Sequence, residues 1–484
     1  MAFSPDYVRL VLNDVFEDGK QLFLDPLMDI HYAHLVMLTD QGIVGAADAR
    51  TLRAALDGID RDAVRRAAYD GTCEDLFFYL ERLIVEACGP DVAGHLHTAR
   101  SRNDIDMALY RLRLREALLD VAGAAIALRR ALVGVAGRHV ETLFPAHTHT
   151  QPAQPSTVAH YLLAIIEELE RDAPRLAAAY ESTNRCPLGA CAITGTGFPI
   201  DRERTAELLG FSGATGNTYG SIATVDYLLE SAAAMSVTVL GVGRFVQDML
   251  LWCTREVGYL RLPDGFVQIS SIMPQKRNPV ALEHARAIAS KAVAQLAAIP
   301  AVVHNTPFGD IVDTEDDLQP LVTTAARDAV RAVSLVAAAM AEAEFDVARM
   351  RARAGEGFVT ITELADALAR DHGLSFREAH GVATRMVQTL PAGSIDQAGA
   401  VLAQASRDVT GREIRIADAD LARILSPEHF VAVRRTPGGP APDVVRAALA
   451  DSTARLEADT ADVARRRAAL ADAARARHDA VARL

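Results

Sequence analysis

Apolar residues recur along much of this chain at the three- and four-residue spacing of an amphipathic helix. One pattern begins near Asp104, a second at Pro155 and a third at Pro279. A fourth pattern, from Ile222 to about Trp252, is apolar on most sides, which is typical of a helix inside a large bundle or at a subunit interface. The chain is therefore predicted to be mostly α-helical, with long parallel helices in its middle that form an oligomeric bundle.

The two ends of the chain show shorter patterns. Residues 1–100 predict several short helices with polar turns, and the segments shorten again after about residue 350. We therefore predict three domains, with the boundaries 1–102, 103–350 and 351–484. Near the C-terminal end, an apolar residue recurs every seven positions, as either a coiled-coil seam or one face of a helix packed on its own domain. The recurring residues are Leu449, Leu456, Val463 and Leu470.

Composition supports the helical prediction and narrows the possible functions. Half of the 484 residues are apolar, only 5% are aromatic, and the helix-favouring Ala and Leu are abundant. A net charge of −13 argues against nucleic acid or an anionic membrane as a partner. The five cysteines form no CxxC pair, which predicts reduced thiols and a cytoplasmic location. No segment has the pattern of a signal peptide or of a membrane span.

Reactive side chains concentrate at three predicted helix starts, where free N–H groups and the helix dipole favour anions. Asn103 or Asp104 can cap the first helix and Asn278 the third, while Pro155 and Pro279 suit the first helical position. Three converging helix starts would form a pocket for carboxylates. The three clusters are HLHTARSRND (95–104), AHTHTQPAQP (146–155) and SSIMPQKRNP (270–279).

Each cluster taken alone also has a structural explanation. SRND fits a capping segment with solvated arginines, His147 and His149 fit buried structural histidines, and Ser270 and Ser271 fit turn residues. The paired histidines lie two residues apart without a Cys or a carboxylate at ligand spacing, so no metal site is predicted.

Together, the clusters resemble the three signature regions of the fumarase/aspartase superfamily, in the same order and at similar separations. SSIMPQKRN is similar to the signature GSSxMPxKxN, with Ile269 at its glycine. HTARSRND resembles the LHTGRSRND pattern of argininosuccinate lyases, THTQPAQP resembles their THLQRAQP, and PLGACAITGTGFPIDR resembles their PLGSGAIAGNPLGVDR. The chain is therefore identified as an argininosuccinate lyase-like member of this superfamily.

The resemblance implies a three-domain, all-α homotetramer with a core of about twenty helices. Each active site would take its three regions from three different chains. The implied reaction is elimination of fumarate from an N-substituted aspartate, with no cofactor and a small dicarboxylate or amine as the only partner besides the chain itself.

By position in the motifs, Ser270 is the implied base, activated by the field of Lys276 and the following helix start. His149 is the implied acid or proton relay, and Glu283 is the residue implied to orient it. The implied substrate-binding residues are Ser101, Arg102, Asn103, Thr148, Gln151, Ser271, Met273 and Asn278.

The chain departs from the family where the leaving group is held. The family segment YNKDLQED followed by Lys resembles residues 307–315, where its tyrosine, glutamine and lysine become Pro307, Val312 and Glu315. Residues 217–226 likewise lose an aspartate and an arginine of the family pattern. The leaving group is therefore predicted to be an amino acid or diamine derivative other than arginine, as in an ethylenediamine disuccinate lyase. The alternatives are a genuine argininosuccinate lyase and a catalytically silent structural protein on the same scaffold.

Overall fold

A computed structural model describes residues 3–391 and 397–484, and it is built almost entirely of helices joined by short loops. The predicted all-α fold is confirmed. Short helices form the N-terminal part, as the sequence indicated, and pack around buried Phe16, Leu35 and Phe77. They are α1 (Pro5–Tyr7), α2 (Asn13–Leu22), α3 (Leu24–Asp40), α4 (Ala46–Asp57), α5 (Arg61–Arg66), α6 (Leu76–Cys88) and α7 (Pro90–Leu96), with a π-helical turn at Val8–Leu12.

A bundle of long helices occupies the middle of the chain. Two clusters of buried Leu, Val, Ile and Ala side chains run through the bundle. The buried carboxylate of Asp328 on α14 pairs with Lys291 on α13 at 2.9 Å. The helices of this part are α8 (Arg102–Arg138), α9 (Val158–Thr183), α10 (Arg202–Leu208), α11 (Thr218–Ala223), α12 (Asp226–Trp252), α13 (Val280–Val303) and α14 (Gln319–Ala341).

The C-terminal part returns to short helices and then ends in one long helix, α21. Leu449 and Leu456 on α21 are buried, and the helix packs along α8 and α9. The seven-residue repeat is therefore a stripe that packs within the chain. The helices are α15 (Val347–Ala354), α16 (Ile361–His372), α17 (Phe376–Thr389), α18 (Ala398–Thr410), α19 (Asp418–Ile424), α20 (Pro427–Ala432) and α21 (Pro442–Ala482).

The strands form two-stranded antiparallel ribbons that connect the helices. The longest ribbon pairs β1 with β2 and carries the second cluster; the other pairs are β3 with β6 and β4 with β5. The strands are β1 (Leu143–Thr148), β2 (Gln151–Thr157), β3 (Leu260–Arg261), β4 (Gln268–Ile269), β5 (Arg277–Asn278) and β6 (Glu344–Phe345), and 3-10 turns lie at Asp264–Phe266, Val312–Thr314 and Asp316–Leu318.

The predicted helix starts at the second and third clusters were wrong by one to three residues. Pro155 lies in β2, and α9 begins only at Val158, where the side chain of Thr157 accepts the N–H of His160 at 3.2 Å. Asn278 lies in β5 and caps nothing, because the residue before α13 is Pro279. In both places a short strand takes the residues that the apolar pattern had assigned to a helix or its cap.

At the first cluster, Ser101 rather than Asn103 or Asp104 is the capping residue of α8. Asp104 contributes differently, since its carboxylate accepts the N–H of Ser101 and completes a reciprocal capping box. The predicted helix from Ile222 to Trp252 is interrupted, because α11 ends at Ala223 and α12 begins at Asp226.

Two bundle helices, Asp226–Trp252 and Val280–Val303, are long and apolar enough to cross a membrane by length and composition alone. In the most apolar window of each, 56% and 28% of the residues are buried within the single chain. Core helices of a helical bundle can have the same length and apolar composition. Because few residues of α13 are buried within the single chain, this helix exposes a broad apolar face.

Candidate active site

The first cluster forms the start of α8. The Oγ of Ser101 accepts the backbone N–H of Asn103 at 3.4 Å. The buried carboxylate of Asp104 accepts the N–H of Ser101 at 2.9 Å and, from a distant loop, the N–H groups of Gly189 and Cys191 at 2.9 and 2.8 Å. Burial raises the pKa of Asp104 to about 6, and the three N–H donors oppose that rise. Asp104 therefore ties the start of α8 to that loop.

The predicted carboxylate binders of this cluster already hold partners within the chain. Nδ2 of Asn103 donates to the carbonyl of Ala192 at 3.1 Å. The guanidinium of Arg102 lies 2.9 Å from Asp75 and 3.6 Å from Asp106. Burial opposes its charge, yet these two carboxylates raise the pKa of Arg102. A substrate carboxylate at Arg102 would have to share it with these neighbours.

Carboxylates outside the three sequence clusters lie beside Arg102. Asp106 on α8 sits close to Glu315 and Asp316, and we call these three residues the acidic patch. The hydroxyl of Tyr110 donates to Asp316 at 3.1 Å. Burial and the neighbouring Asp316 raise the pKa of Asp106, and burial with other nearby carboxylates raises the pKa of Glu315 to about 7 and that of Asp316 to about 6.

The acidic patch belongs to the region where the chain departs from the family. Glu315 replaces a family residue in the 307–315 segment, and the 217–226 segment touches that same region. The rings of Tyr219 and Phe308 stack with centroids 6.1 Å apart, and the Tyr219 hydroxyl donates to the Phe308 carbonyl at 3.2 Å. The two altered segments therefore form one surface.

The second cluster lies at the tip of the β1–β2 ribbon. Thr148 pairs with Gln151, so His149 and Thr150 form a two-residue turn, with φ angles of +50° and +64°. All four side chains are exposed. The base of the ribbon packs on α15 and α20, and Nε2 of Gln154 donates to the Thr362 hydroxyl at 3.2 Å. His149 is therefore presented to solvent on an anchored ribbon.

The third cluster forms a loop between β4 and β5, followed at once by α13. The Oγ of Ser270 accepts the backbone N–H groups of Met273 at 3.1 Å and Ile272 at 3.4 Å. Two such donors favour negative charge on Oγ. Ile272 and Met273 are exposed, at 82% and 39%. Ile269, at the family's glycine, lies in extended β4, so this site needs no glycine.

An open cleft of about 820 Å³ lies beside this loop. Met273, Lys276 and Asn278 line it together with Glu283 from the first turn of α13. No side chain caps α13, so its first N–H groups add a partial positive charge to that of Lys276. The positive charge of Lys276 and of this helix start favours an anion in the cleft, whereas Glu283 opposes it.

Two non-glycine residues near the first cluster have positive φ angles. Ala99 has φ +59° and Cys191 has φ +54°, and both occupy glycine positions of the family patterns. A side chain in this left-handed conformation costs about 1–2 kcal/mol. The chain therefore carries backbone strain on both sides of Asp104.

Replacing Ala99 by glycine is expected to stabilise the protein by roughly 0.5–1 kcal/mol. The relief of left-handed strain exceeds the added backbone entropy of glycine in the unfolded chain. Thermal or denaturant unfolding measures the change. The matched control is Ala54→Gly, in the exposed middle of α4, which should destabilise by about 1 kcal/mol. Equal losses in both variants would show that Ala99 is not strained.

The three clusters have no polar contacts with one another in the described part of one chain. Among residues 3–391 and 397–484, no hydrogen bond or ion pair joins a predicted site residue of one cluster to that of another. The same residues contain no group of three or more His, Cys, Asp or Glu side chains arranged to hold a metal.

Comparison with known proteins identifies two matching family models. A model described as lyase matches residues 46–294, and a model described as argininosuccinate lyase C-terminal matches residues 358–432. The first spans just over half of the chain and includes all three clusters.

Similar proteins are found both by sequence and by structure. Argininosuccinate lyase 2 of Agrobacterium fabrum is 42% identical over 466 residues, covering 96% of this chain and 92% of the relative. Argininosuccinate lyase of Methanoculleus marisnigri is 39% identical over 438 residues, covering 90% and 88%. The crystal structure of EDDS lyase in complex with formate is 32% identical, has a TM-score of 0.87, and aligns over 99% of this chain and 96% of its own.

Proposed function

Because the chain belongs to the argininosuccinate lyase family and is a carbon–nitrogen lyase that eliminates fumarate, we propose that its leaving amine is a diamine derivative rather than arginine. Its substrate would be an N-substituted aspartate, and the reverse reaction would add the amine to fumarate. We include in the proposal that the enzyme is cytoplasmic and needs no cofactor.

The acidic patch carries this proposal. Asp106 lies in the first turns of α8, and Glu315 and Asp316 lie at the 3-10 turns beside it. The patch is next to the segment proposed to bind the succinyl carboxylates, where Arg102 pairs with Asp106. Burial and neighbouring carboxylates raise the pKa values of these three groups. Their negative charge would repel the α-carboxylate of an arginine leaving group. A second ammonium group on the leaving amine would relieve that repulsion. A diamine therefore suits this surface better than an amino acid.

The proposed chemistry centres on the third cluster. Oγ of Ser270, ionised in the field of Lys276 and the start of α13, takes the proton from the carbon next to a carboxylate. The C–H electron pair moves into that carboxylate and forms an aci-carboxylate. Lys276 and the uncapped start of α13 stabilise that dianion as its charge develops. The C–N bond then breaks, its electron pair goes to nitrogen, and His149 supplies a proton directly or by relay.

Substrate binding in this proposal draws on all three clusters. Carboxylate oxygens accept hydrogen bonds from side chains at the start of α8 and on the β4–β5 loop, and groups at the ribbon tip face the leaving nitrogen. Closure of the loop would bury its exposed apolar side chains and exclude water from the aci-carboxylate. The proposed binding residues are Ser101, Arg102, Asn103, Thr148, Gln151, Ser271, Met273 and Asn278.

A complete site in this proposal requires several copies of the chain. No hydrogen bond or ion pair joins the clusters among the described residues of one chain. Helices α12 and α13 also expose Val237, Leu240, Leu251 and Val302 on their surfaces. We propose a homotetramer in which these faces are buried and three chains contribute to each site, with Glu283 of one copy orienting His149 of another. The boundaries 1–102, 103–350 and 351–484 are proposed as the domains of each copy.

The second candidate is a genuine argininosuccinate lyase, which the names of the relatives at 42% and 39% identity favour. Both candidates share the fumarate half of the site. They differ only in the amine half, so substrate choice separates them.

The test follows fumarate by ultraviolet absorbance. Enzyme with argininosuccinate is expected to release little fumarate, whereas enzyme with fumarate and a panel of amines should consume fumarate best with diamines. Glu315→Gln should raise KM for the diamine about tenfold and leave KM for fumarate unchanged. The control is Asp313→Asn, an exposed neighbour outside the acidic patch. Rapid release of fumarate from argininosuccinate would establish the second candidate instead.

A further inference from the structure

We propose that His31 is a positioning residue for the carboxylate-binding segment Ser101–Asn103, and that it acts through Arg100. The inference rests on the proposed function only in assigning that segment to the substrate. Neither residue has a role in the mechanism given above.

Arg100 is a buried guanidinium located one residue before the segment. It is 8% exposed, its Nη1 donates to Nδ1 of His31 at 2.8 Å, and its charge lies 5.7 Å from the ring centroid of Phe77. A guanidinium can only donate, so Nδ1 of His31 must be the acceptor and the ring proton resides on Nε2. Burial and the charge of Arg100 keep the pKa of His31 well below its ordinary value.

Among the described residues, His31 is the one hydrogen-bond partner of the Arg100 guanidinium. No carboxylate there lies within ion-pair distance of Arg100, and its Nε has no partner. A buried charge is costly when its hydrogen bonds are lost. Removing the lone pair of His31 would therefore drive Arg100 out of its place rather than leave it buried and unpaired.

A second histidine of the same helix fixes the other side of this loop. Nε2 of His34, one turn after His31 on α3, donates to the carbonyl of Thr98 at 2.9 Å. Between Thr98 and Arg100 lies Ala99, with its left-handed backbone. Two histidines on one helix face therefore clamp a strained turn, and this clamp sets the direction in which the chain enters α8.

The clamp matters for binding because the next three residues have little freedom of their own. The backbone N–H of Ser101 is bonded to Asp104, and Arg100 is its direct chain neighbour, so a shift of Arg100 displaces Ser101 and strains that hydrogen bond. Carboxylate recognition by short side chains tolerates only small displacements. Loss of the clamp is thus expected to weaken fumarate binding more than it slows the chemical step.

The experiment compares two variants of the full-length protein. His31→Leu removes the acceptor, whereas His31→Asn keeps an acceptor at the position of Nδ1. Fumarate affinity, measured by calorimetry, is expected to fall about tenfold or more in the leucine variant and to remain within about threefold in the asparagine variant. Equal affinity in the wild type and both variants would overturn the proposal, as would equal losses in both.

A double-mutant cycle covers the case in which His31→Leu does not fold. Arg100→Met removes the charge that needs an acceptor, so His31→Leu in that background should fold. Fumarate affinity should then change less than about threefold between Arg100→Met and the double variant, because both substitutions remove the same clamp. A further tenfold loss would overturn the proposal. The calorimetric measurement uses fumarate without an amine. The positioning role of His31 can therefore fail while the proposed diamine specificity holds, and the diamine specificity can fail while the positioning role holds.

Discussion

Ser270→Ala is expected to lower the turnover number about a thousandfold while the protein stays folded. The variant removes the group proposed to take the substrate proton, and general bases contribute factors of this size. Ser270 is distinguished from its neighbour by its environment, since its Oγ accepts the backbone N–H groups of Ile272 and Met273. Initial rates of fumarate formation and far-ultraviolet circular dichroism measure activity and folding.

Ser271→Ala is the matched variant for this prediction. Ser271 is exposed on the same loop and is proposed to bind substrate, so its loss should cost about tenfold, mainly in KM. If Ser271→Ala caused the greater loss of turnover, the base would be reassigned to Ser271. If neither variant lost activity, the proposed chemistry at this loop would be wrong.

Lys276→Met is expected to reduce kcat about a hundredfold or more, because it removes a charge aimed at the developing aci-carboxylate. Lys276→Arg should retain only part of the wild-type kcat, because the planar guanidinium group of arginine cannot take the position of the compact lysine ammonium group. The composition supports a specific need for lysine here. Only three of the 50 basic Lys and Arg residues are lysines. A Lys276→Arg variant with full activity would show that charge alone suffices.

Chemical acetylation provides an independent check on Lys276. Lys20 is buried and paired with Glu17, and Lys291 is 57% exposed and paired with Asp328. Fumarate is expected to protect Lys276 from acetylation and to leave Lys291 unaffected, as peptide mapping would show. Equal labelling of Lys276 with and without fumarate would contradict its place in the site.

Helical periodicity predicted the bundle correctly but misplaced the residues around the second cluster. The stretch Gln151–Thr157 contains two prolines, which argues against a strand, and the turn at His149–Thr150 lacks the Asn or Gly that marks such turns. The ribbon forms because α15 and α20 pack against it. A local pattern cannot contain that information.

The acidic patch was missed for a similar reason. Asp106 and Asp316 are 210 positions apart in sequence, and only the packing of α8 beside the 3-10 turns brings them together. A local signal did exist, since Arg102 and Asp106 have the four-residue spacing of a helical ion pair. A second local signal was the run of acidic residues 315–317 shortly before α14. The motifs located the fumarate half, whereas the amine half depends on tertiary contacts.

The packing of α21 determines when the first helices of the chain can finish folding. This helix is about 60 Å long, and its Ala480 and Val481 complete the core around Phe16 and Leu35. Arg477 also pairs with Asp29 at 2.7 Å. During synthesis the N-terminal helices must therefore wait for more than 380 further residues before their core closes. Until then their apolar surface stays exposed, so we expect the nascent chain to need chaperones. Destabilising mutations in α3 are expected to lower the yield of folded protein before they affect catalysis.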